Sequence, residues 1–151
     1  MAGQRQDYIL RQIELLRKFV AQVVGSSDGG GLEQALQLSF NLQEKLFAQP
    51  AAEFLQQPVD GQIASLMAGE SKVTGHAKCL TYVELLQQTA RLYQFRDRSD
   101  LATGARQLAL QVALHVALAE PADPAAVRLL VTELLAAVDP LDLLPPVREL
   151  L

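Results

Sequence analysis

The stretch Leu108 to Leu118, LALQVALHVAL, restricts the fold more than any other part of the chain. Nine of its eleven residues are apolar. At 100° per residue they leave almost no polar side, the mark of a helix enclosed by neighbours. Only Gln111 and His115 interrupt the run, and a spacing of four stacks them on one narrow line of the helix. Crossing a bilayer takes roughly 20 consecutive apolar residues, whereas Arg106, Gln107, Glu120 and Pro121 close this run at both ends. The expectation is a core helix of a soluble domain, with no integral membrane association.

The rest of the chain agrees. Leu, Ala and Gln dominate, aromatics make up 5% and Trp is absent. Straight-chain residues and Ala lose little side-chain entropy in a helix, and the β-branched and aromatic residues that strands favour are scarce. The fold class expected is all-α: one domain over 1–151, a compact bundle of about five main helices plus short helical turns.

An N-terminal amphipathic helix over 1–24 buries Ile9, Ile13, Leu16, Val20 and Val23, which recur at 4, 3, 4 and 3. Tyr8, Leu15 and Phe19 add a second apolar column to it. A Gly-rich loop over 25–31 follows, and a helical core fills 32–151. In that core Pro50 ends the second helix, Asp60 reads as an N-cap of a short one, and Ser71 or Thr74 caps a long one running to about Phe95. Ser99 reads as the cap of the central helix. Asp123-Pro124 and Asp139-Pro140 read as start signals for later helices, and Pro145-Pro146 for a last short one.

Several function classes are disfavoured on composition. Thirteen basic against seventeen acidic residues give a net charge of −4, without the concentrated positive field that nucleic-acid binding requires. Cys79 is the sole cysteine, so no internal disulfide forms, in keeping with a reducing, cytoplasmic setting. The opening residues MAGQRQDYIL lack the continuous apolar run of a secretory leader. GSSDGGG is followed by no Lys-Ser or Lys-Thr pair. In GESKVTGHAKC five residues separate the glycines and His76 stands where a phosphate-binding loop needs Lys, so neither stretch cradles a nucleotide.

The short turn RDRSD from Arg96 to Asp100 folds the two long helices back on each other as an antiparallel hairpin. Within it Ala90, Tyr93, Ala102 and Ala109 stand at spacings that resemble a tetratricopeptide repeat, in which small residues let paired helices approach closely. The departures are Leu86 where an aromatic is typical, Arg106 where a large apolar residue is usual, and a second helix that runs long. The whole chain is also similar to a group of small bacterial proteins without an established activity. These begin with a comparable helix, here Gln6, Asp7, Tyr8 and Ile9 followed by Ile13 and Leu16, and carry such a hairpin late in the chain. That likeness implies the helical fold and supplies no activity.

Chemistry-bearing residues are few. His76 and Cys79 share a helix face at a spacing of three, and His115 stands on the partner helix, so a small-ligand or metal site near His76, Cys79 and His115 is one reading. A Cys79–His76 nucleophile pair lacks an identifiable oxyanion-stabilising turn, and no paired carboxylates stand at catalytic spacing on facing helices. The leading expectation is a non-enzymatic interaction or scaffold module that needs no cofactor and binds a partner helix, a peptide or a second copy of itself. Gln111, His115, Tyr82 and Tyr93 are expected to line its groove, with Tyr8 and Phe19 as a seam on the first helix.

Overall fold

The computed structural model describes residues 2–25 and 31–150, and among these every regular element is helical, with no strand. Eight α-helices follow in order: α1 (Ala2–Gly25), α2 (Leu32–Phe47), α3 (Ala51–Gln56), α4 (Val59–Met67), α5 (Lys72–Phe95), α6 (Ser99–Leu118), α7 (Pro124–Ala136) and α8 (Pro145–Leu150), with a 3-10 turn at Pro140–Asp142 before the last. Of the loop expected over 25–31, residues 26–30 lie outside the described residues, while Gly25 belongs to α1.

The stripe read from α1 is the buried one. Ile9, Ile13, Leu16, Val20 and Val23 are all sealed, so a 3.6-residue period becomes a single packed line. Tyr8 and Phe19, on one flank of that line, face α2. Lys45 of α2 lies 5.0 Å from the centre of the Tyr8 ring, and its Nζ donates to the Tyr8 hydroxyl at 3.3 Å. Phe19 packs beneath Gly31, which opens α2 at φ 85° and would bring a Cβ to 3.3 Å from the Phe19 ring. Glycine there meets two demands at once, a left-handed backbone and close approach.

α5 is the axis of the molecule, packed by α1, α2, α4 and α6. The chain leaves it through Arg96–Arg98 with Asp97 in the left-handed region, φ 61°, which Asp tolerates better than most residues. α6 then doubles back along α5, and Ala90, Ala102 and Ala109 are fully buried. The central run is enclosed as expected: Ala109, Leu110, Val112, Ala113, Leu114 and Val116 are sealed, and only Leu118, at the end, is well exposed.

Two helix starts differ from the sequence reading. Asp60 is no N-cap: Pro58, in an extended conformation, takes that place and α4 begins at Val59, leaving Asp60 inside the first turn. Ser99 likewise belongs to α6 itself, because the turn through Asp97 ends at Arg98. Ser71 and Asp123 do cap α5 and α7, accepting from the amides of Thr74 (3.2 Å) and Ala126 (3.1 Å). Asp139-Pro140 yields only one 3-10 turn, closed by Leu141 N–H donating to Asp139 at 2.9 Å, because Pro145 interrupts the chain soon after.

Candidate functional site

The six residues expected to meet a partner do not form one surface. Tyr82 lines no groove and is corrected to a core residue. It is fully buried, its hydroxyl donates to Gln62 Oε1 at 2.9 Å, and its ring stands edge-on to the stacked pair Phe47 and Phe54 at 5.1 and 5.5 Å. Burial pushes its phenol above the ordinary range. The cause is α3 and α4, which carry Phe54 and Gln62 onto this side of α5. Tyr93 does line a groove, of about 250 Å³, with Phe40, Leu55, Leu101 and Leu108. Gln111 and His115 are half-buried, and among the described residues no hydrogen bond joins them. His115 instead reaches Asp60, Nε2 to Oδ1 3.4 Å. Tyr8 and Phe19 turn toward α2, as described above.

Nor do His76, Cys79 and His115 converge. Among the described residues no three His, Cys, Asp or Glu side chains stand close enough to hold a metal ion. Cys79 has no exposed surface, and desolvation pushes its thiol up to about 11. It therefore keeps its proton at neutral pH, and since the thiolate is the nucleophile and metal ligand, this sulfur is inert in place.

His76 is different. It faces a cavity of about 460 Å³ whose apolar wall is formed by Ala77 and Leu80 of α5, Pro121 of the α6–α7 turn, and Ala126, Val127 and Leu130 of α7. Lys72, Glu120 and Asp123 stand around it as its charged groups, and Val73, 65% exposed, is at its rim. That the start of α5 and the end of α6 share one cavity follows from their antiparallel course. Its shape depends on Glu120, which adopts φ 53°, a left-handed position usually given to glycine at a helix end. The chain then turns sharply enough to bury Pro121 in the wall.

His76 is 8% exposed. Every sealed side-chain nitrogen and oxygen among the described residues has a hydrogen-bond partner. His76 has no such partner among them, so its ring nitrogens are not sealed and keep some accessible surface where the residue lines the cavity. Desolvation, then the charge of Lys72, hold its pKa below the ordinary 6.5. At neutral pH it is an uncharged ring with one N–H donor and one bare acceptor nitrogen.

No family model matches the chain, and no curated protein or solved structure is significantly similar to it. Function must therefore be read from the site.

Ala77 and Leu80 also floor a second depression, of about 650 Å³, between α5 and α1. The two spaces adjoin across one ridge of α5. Leu10 and Ile13 form the apolar part of the outer wall. Arg17 bridges Glu84, at 2.6 Å from its Nε, and Glu14 across this space, and those carboxylates, Glu84 foremost, raise its pKa. Gln88 donates to Glu84 in turn at 3.1 Å.

One signal for the cavity was present in the sequence. Val73, Ala77 and Leu80 are spaced four and three apart, a second apolar line on α5 beyond the one that fills the core. Gln107 carried no such signal. Buried on α6, its amide donates to the carbonyl of Asp142 and accepts from Leu144 N–H at 2.7 Å, fastening the C-terminal segment whose Val147 is sealed against the core.

Proposed function

We propose that the chain is a non-enzymatic helical binding module that holds a small, largely apolar molecule in the cavity between α5 and α7. One observation carries this reading: His76, 8% exposed and without a hydrogen-bond partner among the described residues, lines a cavity whose inner walls are apolar. A side chain whose nitrogens keep accessible surface and have no protein partner is free to hydrogen-bond a ligand, and the volume lies within the range of roughly 300–1,000 Å³ typical of small-molecule sites.

The test is titration with the uncharged fluorophore N-phenyl-1-naphthylamine. A saturable one-to-one rise in emission is expected, lost in Ala126→Phe, which fills the cavity from an exposed position on α7 while leaving the thermal midpoint unchanged. Emission that never saturates, or that Ala126→Phe leaves intact, contradicts the reading.

A second reading is the interaction module, a partner helix or peptide laid along α5. The specific observation favouring it is that Ala77 and Leu80 belong to both depressions, one on the α1 side of α5 and one on its α7 side. The tetratricopeptide-like character of the α5–α6 pair belongs here, supported by the buried Ala90, Ala102 and Ala109. Self-association through α1 draws support from Leu10 and Leu15, each about half exposed. A cytoplasmic location is consistent with either reading. It rests on the single, buried thiol of Cys79 and on the described residues holding no helix long and apolar enough to cross a membrane.

A further inference from the structure

Resting on the reading of the His76 cavity as a ligand site, we infer that its ligand is an uncharged amphiphile, an alkyl or aryl body that ends in a single hydroxyl group. The head is set by hydrogen-bond arithmetic. A neutral imidazole presents one donor and one acceptor on opposite sides of its ring, and a hydroxyl can meet whichever faces the cavity, giving its proton to a bare nitrogen or accepting from a ring N–H. A carboxylate is acceptor-only and meets the N–H alone. An ammonium is donor-only and meets the bare nitrogen alone.

Charge points the same way. The groups around the cavity are one cation, Lys72, and two carboxylates, Glu120 and Asp123, so neither sign of ligand charge finds a dominant opposite field. At the start of α7, where amides would otherwise attract an anion, the Asp123 carboxylate already stands and accepts from Ala126 N–H. Across the ridge, where Arg11 also stands, Arg17 is committed to Glu14 and Glu84. An ion entering the cavity would give up its hydration without a dedicated counter-charge. The body is set by the walls, Ala77, Leu80, Pro121, Ala126, Val127 and Leu130, which offer no side-chain hydrogen bond.

Four probes of one chain length decide it: 1-octanol, 1-fluorooctane, octanoate and octylammonium, each used to displace the bound fluorophore. The inference expects 1-octanol to bind more tightly than either ion. In His76→Leu its affinity should fall about tenfold, the worth of one net hydrogen bond, relative to that of 1-fluorooctane, which donates nothing and accepts only weakly. His76→Gln, which keeps a donor and an acceptor, should restore part of it. Tightest binding by octanoate or octylammonium would overturn the hydroxyl assignment while the cavity still stood as a binding site. An alcohol-to-fluoride ratio that is the same in His76→Leu as in the unmodified protein would do the same. If none of the four displaces the fluorophore, or if it never binds saturably, the ligand-site reading itself falls.

Discussion

Thr89 and His76 stand on the same helix, thirteen residues or about 20 Å apart, and both put a polar group more than nine-tenths out of water. Around Thr89 the polar atoms answer one another. Its hydroxyl donates to the Leu85 carbonyl at 2.8 Å, leaving its oxygen to take the Ser39 hydroxyl at 2.6 Å and the Gln43 amide at 3.4 Å. Around His76 the neighbouring side chains are apolar or charged, and its ring is paired with none of them. The difference follows from what covers each part of α5. α2 lies along the Thr89 end and brings matching polar groups, whereas at the His76 end α7 and the α6–α7 turn stand off and leave a space. A polar group closed by its own protein locks two helices in register, and one left open is free to bond a partner from outside the chain.

Substitutions in the closed part should be costly, and those at the open end should not. Tyr82→Ala should have the largest effect, about 3–5 kcal/mol, from the cavity left beside Phe47 and Phe54 and the unpaired Gln62. Urea denaturation measures it, and a cost below about 1 kcal/mol would mean this part is not closed. Thr89→Val keeps the shape but withdraws the oxygen on which Ser39 and Gln43 converge. It should cost about 1–3 kcal/mol by the same measurement. Gln107→Leu should cost about 1–2 kcal/mol, with its signature local: faster amide hydrogen exchange in α8 while the α5 amides keep their protection.

The smallest effect belongs to His76→Leu, within about 0.5 kcal/mol at pH 7.5, since no protein hydrogen bond is lost. Its pH dependence has a definite sign. The folded imidazole has a pKa below 6.5, so the unfolded chain binds the proton more readily. The unmodified protein is therefore unaffected above 6.5 and loses stability as pH falls from 6.5 toward the folded value. The Leu variant lacks that loss, and the two denaturation midpoints should separate only on the acid side.

The helices were legible because a buried stripe is a local pattern. Ile9 to Val23 announces its own burial, and so does the run from Leu108. The burial of Tyr82 was not, because which side of α5 stays open depends on α3, α4 and α7, and no periodicity within α5 encodes where those pieces land. Tyr82 and Tyr93 look equivalent on the helix, yet Phe54 and Gln62 close over the first only. Asp60 and His115 read as a cap and a groove residue and turn out to meet each other. The His76 cavity depends on a left-handed Glu120, a conformation that residue type does not advertise. The apolar line Val73, Ala77 and Leu80 was visible, but the sequence could not say that it would remain uncovered.

The central claim is that the nitrogens of His76 wait for a partner from outside the chain. It is tested most directly by following the ring ¹⁵N resonances of His76 at pH 7.5 while 1-octanol is added. The account predicts a neutral, weakly hydrogen-bonded ring at the start, with the acceptor nitrogen shifting saturably as the alcohol binds. A ring already charged or firmly paired, and unmoved by the alcohol, would contradict it.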